Sequence, residues 1–398
     1  MRLIQNLVWK TPVENLRGSC GFLYFCYMSN APLKIVHLSS AHPDRDVRIF
    51  LKECCSLASR FPEAEVHLVL AGVQERQEAN VIIHSVPART GSRLRRMWRT
   101  VNQVYQKAVA LDGDLYHLHD PELLRIAPKL KKKGKKVIYD AHEDLPRQLL
   151  GKGYLPLKGL FSQLFERYEN RVVRRLDAVV TATPFIRDRF LEVNSKTVDV
   201  NNYPLLSEMS FDSSKGERNH VCYIGGISRI RGISSLVEAM QFTQTKLQMA
   251  GELSDAYRME LSQSKGWQQV IPRGHVAREE ASEIKKSAFA GLVTFLPFPN
   301  HINAQPNKIF EYLASGIPVI GSNFPLWKIL LEDQKIGLCV DPENPKAIAE
   351  AIEYLRSNPE IAREMGERGK QLILEKFNWS VEEEKLVHCY KSLLGYEG

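Results

Sequence analysis

Short β-branched and apolar runs alternate with longer helical stretches from residue 34 to about residue 204, and the alternation then starts afresh and continues to residue 340. The first set of runs falls at 34–39, 65–71, 80–84, 114–118, 136–139 and 178–182, with helical stretches such as 48–60 and 161–175 between them. The second set falls at 220–224, 246–250, 269–271, 291–295, 318–320 and 337–340. Such alternation builds a parallel, doubly wound α/β sheet, because a parallel connection must cross the sheet and a helix is the segment suited to cross it. Two sets predict two domains with a linker near residue 205, after Asn202-Tyr203-Pro204 and across the polar stretch 207–219. With 398 residues, each half is long enough for its own core.

Hydrophobic content of 44% and charged content of 25% are ordinary for a globular protein, and no apolar run reaches the roughly 18 residues that a spanning helix needs. The seven cysteines are odd in number and show no CxxC spacing, so reduced thiols and a cytoplasmic setting are expected rather than disulfides or zinc. Residues 1–33 differ from the rest. The aromatic patch from Phe22 to Met28 follows scattered Arg and Lys but is short for a signal peptide and lacks a small-residue cleavage pattern. A flexible extension, an over-long start and a membrane contact all fit it, and the compact fold is expected to begin at Lys34.

Residues 306–321 join a polar loop, a short helix and a buried strand around one carboxylate. The stretch from Lys308 to Ala314 lacks breakers and follows Pro306 and Asn307; Gly316 stops it and Pro318 starts a Val-Ile strand. A helix N-terminus attracts anionic groups, and Lys308 adds a full positive charge there. Glu311, about one turn in, offers two acceptor oxygens that suit a vicinal diol. From these residues alone, an ordinary helix–strand unit with a solvated Glu serves as well. The stretch 306–320 resembles, without a gap, the C-terminal donor-site motif of retaining GT-B glycosyltransferases of family 4, in the form Pro-x-Lys-x-x-Glu-Tyr-x-Ala-x-Gly-x-Pro-Val-Ile.

That resemblance extends over residues 34–394 and implies two Rossmann-like domains facing across a cleft. Residues 34–204 would form the acceptor domain and 205–378 the nucleotide-sugar donor domain, with 379–398 a helix crossing back to the first and 1–33 an extension. It also implies that Glu311 binds the nucleotide ribose as the second Glu of a Glu-x7-Glu pair. The first Glu falls at 303, where this chain has Asn303, which carries no charge. Gly225-Gly226 and the following Arg229 and Arg231 form a glycine-rich turn after the first strand of the second set, where backbone can approach a phosphate and guanidinium groups can neutralise it. Such turns are common without a ligand. The turn is similar to the family's diphosphate loop, with Gly226 at the usual Arg position, Arg231 at the usual Lys, and Arg229 supplying the missing charge. Gly274, His275 and Val276 resemble the loop that cradles the nucleobase; a plain turn before a helix at 278–285 is the alternative.

In the first half, residues 114–122 and 137–144 each place His and carboxylates directly after a strand. Metal ligation, positioning of an acceptor hydroxyl and a satisfied polar network are all open to such residues. The resemblance places His142 at the acceptor side near the reacting sugar, with His119 and Asp120 a second strand-end pair. Asp46 and Arg48, in the polar loop 39–49, either bind acceptor sugar or lipid phosphate, or serve the following helix, Asp44 or Asp46 as its cap.

Breaking a nucleotide-sugar bond leaves negative charge on the diphosphate, which Arg229, Arg231, Lys308 and the Gly225-Gly226 loop would stabilise. No covalent nucleophile stands out, and the resemblance implies retention of configuration by same-face attack assisted by the leaving phosphate. No Asp-x-Asp triplet stands near the donor loop, so metal independence is expected, with the nucleotide-sugar as co-substrate and no further cofactor.

The net charge of +8 is clustered. Arg89, Arg93, Arg95, Arg96 and Arg99 crowd Met97 and Trp98, and Lys129, Lys131, Lys132, Lys133, Lys135 and Lys136 make a second group. A basic amphipathic stretch with a Trp fits an anionic membrane surface, and also a merely solvated helix face. Nucleic acid is not expected, since no aromatic-interleaved sheet motif or zinc signature accompanies the charge. At the end, 347–356, 359–377 and 381–394 are helical, with Ser380 as N-cap before Glu382, Glu383 and Glu384. The expectation is a retaining glycosyltransferase moving a sugar to a carbohydrate or lipid-linked saccharide in surface polysaccharide assembly, peripheral on the inner face of the plasma membrane. The alternatives are a nucleotide-sugar 2-epimerase of the same shape and a catalytically idle scaffold.

Overall fold

The structure is a computed structural model that describes residues 32–88, 93–151, 157–208 and 218–395. Leu33–Gly398 form one compact unit. The expected extension lies, but for its last two residues, outside the described residues, as do residues 209–217 of the polar stretch near the linker.

The first half is an eight-stranded sheet of β1 (Lys34–Leu38), β2 (Glu65–Ala71), β3 (Arg76–Glu78), β4 (Val81–Val86), β5 (Leu115–Leu118), β6 (Lys136–Ala141), β7 (Ala178–Thr181) and β8 (Thr197–Asp199), in the order β3-β4-β2-β1-β5-β6-β7-β8. The second half is a six-stranded sheet of β9 (His220–Ile224), β10 (Lys246–Ala250), β11 (Val270–Gly274), β12 (Ala288–Val293), β13 (Val319–Ser322) and β14 (Gly337–Val340), in the order β11-β10-β9-β12-β13-β14. All second-sheet pairs are parallel. The central strands are buried on both faces, which is why β5 and β12 lack polar–apolar alternation.

Two strands depart from expectation. Arg76-Gln77-Glu78 carries no apolar residue, so nothing in its pattern signals a strand, yet it closes the edge as the one antiparallel partner, on β4. Thr197-Val198-Asp199 is three residues long and completes the opposite edge against β7.

The strand order reverses between β1 and β5 in the first sheet and between β9 and β12 in the second. In open α/β sheets, ligands lodge outside the carboxyl ends of the strands at such points. The second switch point rests on Gly232, whose φ of +71° suits a residue without Cβ, and where a Cβ would stand 1.7 Å from the Thr294 carbonyl oxygen.

The helix Trp379–Leu394 leaves the second half and packs on the first. Trp379, Leu386, Val387, Tyr390 and Leu393 join Ile35, Phe50 and Leu68 in one core. At roughly 1.5–3 kcal/mol for each buried large side chain, this is a structural joint rather than a loose tether. Trp379 Nε1 donates to Ser56 Oγ at 2.9 Å, and the Asn201 N–H donates to Glu382 Oε2 at 2.7 Å. The helix starts two residues earlier than expected, and its N-cap is Asn378, not Ser380. Asn378 Oδ1 accepts from the Val381 N–H at 3.3 Å, while its Nδ2 donates to the carbonyls of Ile373 and Leu374 and so closes the preceding helix Pro359–Glu375 as well. Among the described residues, Cys54, Cys55, Cys222, Cys339 and Cys389 are free thiols. No helix among them is long and apolar enough to cross a membrane.

Candidate active site

On the second sheet, β9 delivers Tyr223 and then Gly225-Gly226 to the sheet edge, where the helix Asn307–Ala314 also begins. No side chain caps that helix at its N-terminus. Its first turn carries Lys308, which is buried rather than solvated. Lys308 Nζ lies 4.2 Å from the Tyr223 ring centroid and donates to Tyr223 Oη at 3.1 Å, and Tyr223 Oη in turn donates to the Gly226 carbonyl at 2.6 Å. A Cβ at Gly225 would meet Lys308 Nζ at 2.7 Å, and one at Gly226 would meet Arg231 Nη1 at 3.1 Å, so the two glycines let two cations close on one stretch of backbone. Among the described residues, neither cation forms an ion pair with a carboxylate. Burial first, and then the neighbouring Arg231 guanidinium, push the Lys308 ammonium down to about 7, against the opposing pull of Glu311. Two uncompensated cations beside an uncapped helix N-terminus make a seat for an anion.

Glu311 stands one turn further along the same helix, half-buried, with its carboxylate free of hydrogen bonds among the described residues. Asn303 is half-buried in the loop before the helix. That loop also holds Gln305, whose Oε1 is buried without a partner, a polar group the sequence reading passed over because it falls in a gap of the motif. Arg229 does not join the cluster. It pairs with Glu260, lies over the Tyr257 ring at 4.7 Å and is largely exposed, so the charge missing at Gly226 is not supplied from there. Gly274 adopts φ +68° and its carbonyl accepts from the Gly251 N–H at 2.7 Å; His275 is exposed and Val276 packs against the second core.

On the first sheet, the carboxyl ends of β1, β5 and β6 converge on a buried polar cluster. Arg48 is buried there. Its Nε and Nη2 donate to the two Asp140 oxygens at 3.0 and 2.8 Å, Nη1 donates to the Val200 carbonyl at 2.7 Å, and Glu53 Oε1 lies 3.1 Å from Nε. Buried and turned onto Asp140, Arg48 does not present its guanidinium to an acceptor sugar or phosphate. Although burial opposes it, the Arg48 charge keeps Asp140 ionised well below the usual carboxylate range. Glu53 is pushed the other way, first by burial and then by Asp140. Neither Glu53 oxygen has a hydrogen-bond partner among the described residues, in keeping with a carboxyl whose charged form burial and Asp140 disfavour.

Asp140 also holds His142, whose Nε2 is 2.8 Å from Asp140 Oδ2, and His142 is half-buried at the cleft side. His119 lies beneath, 3.3 Å from Asp140, and is fully buried; burial brings it down to about 4, so it is a neutral imidazole. Asp120 is buried too, and its Oδ2 accepts from Ser39 Oγ, Ser40 N–H and Ala41 N–H at 2.9, 2.5 and 3.2 Å. His119 and Asp120 therefore shape the site from within and do not reach an acceptor. Asp46 serves as the helix cap, accepting from the Arg48 and Ile49 N–H groups at 2.9 and 3.0 Å. The segment it caps, Val47–Cys54, is a π-helix, and this extra width turns Arg48 and Glu53 to the same interior point.

His42 was absent from the expected site. It lies between Asp46 Oδ2 at 3.0 Å and Asp120 Oδ1 at 3.4 Å, with its ring 5.1 Å from that of His142. Burial works against its charge, but the Asp46 hydrogen bond and the two carboxylates raise it above the ordinary histidine value. Behind this edge, His37, His117, His119 and Glu53 lie together, a donor set that chemically suits a divalent cation, as do His119, Asp140 and His142. The imidazoles are stacked, however, His117 on His119 with 21° between planes, and His37 Nδ1 and His119 Nε2 are already 2.9 Å apart. Tyr390 closes the cluster, with its Oη 2.7 Å from His117 Nδ1 and 3.2 Å from His37 Nε2.

The two edges face one another. The chain after β6 runs on to Gly151, where a Cβ would stand 3.4 Å from Asn300 Oδ1, in the loop that leads to Lys308. Of the basic groups expected at a membrane, Arg89 and the side chains of Arg93, Arg95 and Arg96 lie outside the described residues.

Two family models match this chain: "Glycosyltransferase Family 4" over residues 54–200 and "Glycosyl transferases group 1" over residues 207–372. No curated protein matches by sequence. Among solved structures, sucrose-phosphate synthase from Thermosynechococcus elongatus superposes with a TM-score of 0.75 at 17% identity, over 92% of this chain and 100% of that one. Anabaena HepE in complex with UDP and glucose gives 0.68 at 14%, over 90% and 100%. A UDP-forming α,α-trehalose-phosphate synthase from Burkholderia vietnamiensis gives 0.68 at 13%, over 92% and 100%.

Proposed function

For this chain, a glycosyltransferase of GT-B fold, we propose retaining transfer of a sugar from a nucleoside-diphosphate donor to a carbohydrate or lipid-linked saccharide, in assembly of cell-surface polysaccharide. The observation that carries the donor half is the pair of unpaired cations, Arg231 and Lys308, drawn onto Gly225-Gly226 beside an uncapped helix N-terminus. Glu311, one turn up that helix, meets the ribose diol, and Asn303 and Gln305 complete the loop around the sugar. HepE was crystallised with UDP-glucose, so a uracil nucleotide is the first donor to try.

When the bond from the anomeric carbon to the diphosphate breaks, its electron pair goes to the phosphate oxygen, where Arg231, Lys308 and the helix N–H groups meet the new charge. The acceptor hydroxyl enters on the same face, and its proton passes to the departing phosphate. His142, held by Asp140, positions that hydroxyl. Fixed cations do this work from the protein itself, and no metal step is invoked. The basic helix Arg93–Leu111 seats the enzyme on the inner face of the membrane, close to a lipid-linked acceptor.

The test is to supply α-linked nucleotide-sugars, follow release of nucleoside diphosphate and assign the anomeric configuration of the product by NMR. An α-configured product from one donor is expected, with turnover reduced about a hundredfold or more in Arg231→Leu. A β-product, or a free epimerised sugar, would overturn the reading.

A further inference from the structure

The helix Lys158–Val173 buries Ser162 on the helix Leu145–Leu150 and Glu169, Val172 and Val173 against the first sheet, and leaves another face bare. Leu157, directly before it, is 73% exposed, and Leu160, Phe161, Leu164 and Tyr168 are 52, 47, 50 and 41% exposed. At 3.6 residues per turn the last four fall within an arc of about 100°. Single exposed apolar residues are ordinary, but a continuous stripe is not.

The charges on the same helix have one sign where they meet water. Lys158, Arg167 and Arg171 are exposed, as are Arg174 and Arg175 just beyond it. Its two carboxylates are both consumed, Glu166 by Arg147 and Glu169, fully buried, by Arg189 and Tyr139. Arg171 continues the apolar stripe one turn past Tyr168. The neighbouring surface has the same character, for Trp98 is exposed and covered on one face by Arg125, 4.0 Å from its ring, and the Arg125 charge is felt at Tyr168.

We propose that this face of Lys158–Val173 docks on an anionic lipid bilayer, with Leu160, Phe161, Leu164 and Tyr168 entering the acyl boundary and the arginines meeting headgroup phosphates. An apolar stripe flanked only by cations is the pattern of an interfacial helix. A second copy fits poorly, because a two-fold contact would gather the Lys158 and arginine charges of both copies at one interface with no carboxylate of this helix left to pair them. Nucleic acid would use the arginines but leave the leucines and the phenylalanine wet. The proposal deepens the membrane part of the reading above, naming a second surface beside the helix Arg93–Leu111. Its test measures binding without turnover, so it and the transferase reading can fail separately.

The full chain is sedimented with vesicles of phosphatidylcholine alone or with a third phosphatidylglycerol. Wild type is expected to bind only the mixed vesicles, and less so as salt rises. The double variant Leu160→Asp/Leu164→Asp is expected to partition about a hundredfold more weakly. Arg171→Glu/Arg174→Glu should lose most of the preference for phosphatidylglycerol. All four positions are exposed, and thermal unfolding of each variant checks that the fold is kept. Absence of sedimentation with either vesicle, or variants that bind as wild type does, would overturn the proposal. So would lipid-free self-association that the Leu→Asp pair abolishes, which would make the face a protein interface.

Discussion

Replacing Lys308 by Met should make the unliganded protein more stable while removing its donor site. Lys308 is buried without a carboxylate partner, and its ammonium is pushed from the ordinary 10.5 down to about 7. At about 1.36 kcal/mol per pKa unit, burying the charged form costs on the order of 5 kcal/mol, fully felt below pH 7. Near pH 7.5 the amine is mostly neutral when folded but charged when unfolded, and the cost is about 4 kcal/mol. Met fills a similar volume and forfeits one hydrogen bond to Tyr223, about 1 kcal/mol, so a net gain of about 3 kcal/mol is expected. The pH dependence gives the sign. Between pH 7 and 10.5 the unfolded chain holds the proton that the folded one has released, so this group makes wild-type stability rise with pH across that window. The variant should lack that slope. Urea denaturation of both proteins at pH 6, 7, 8 and 9 measures it. A Lys308→Met protein that is less stable than wild type at every pH, or that keeps the full slope, would refute the reasoning.

Asp140→Asn takes the carboxylate that chelates Arg48 out of the buried cluster, and the lost ion pair should lower stability by about 3–5 kcal/mol in urea titrations; a loss under about 1 kcal/mol would contradict the Arg48–Asp140 pairing. Gly232→Ala combines a left-handed φ with a clash on the Thr294 carbonyl, so a loss above about 2 kcal/mol, or no soluble protein, is expected in expression and melting tests. His42 is raised by its carboxylates, so its contribution is complete below its unfolded pKa and fades as pH climbs through the folded one. In His42→Gln, the decline in melting temperature from pH 6 upwards should flatten, and an unchanged pH profile would count against the Asp46–His42–Asp120 arrangement.

The double sheet was legible because buried parallel strands announce themselves as β-branched runs between helices. Their edges were not: Arg76-Gln77-Glu78 pairs through backbone alone, and backbone pairing leaves no mark on side-chain pattern. Lys308 and Glu311 were found as a motif, but the burial of Lys308 was not, since it follows from Tyr223 and two glycines 85 positions away in the case of the Tyr223 bond. Arg48 looked like an exposed loop cation because nothing local reveals that a π-helical turn aims it at Asp140, 92 residues distant. Arg229 was assigned to the phosphate on spacing, and the structure gives it to Glu260 instead, leaving Arg231 and Lys308 as the cations that converge. Ser380 was read as the cap because three acidic residues follow it, whereas Asn378 is the cap and its side chain serves both helix ends at once.

The donor site is tested most directly by calorimetric titration of UDP, GDP and ADP into wild type, Lys308→Met and Glu311→Gln. One diphosphate should bind wild type, bind at least about tenfold more weakly when Glu311 loses its charge, and be lost in Lys308→Met. Binding that is equal in all three proteins would place the nucleotide elsewhere, and binding by none of the diphosphates would contradict the account.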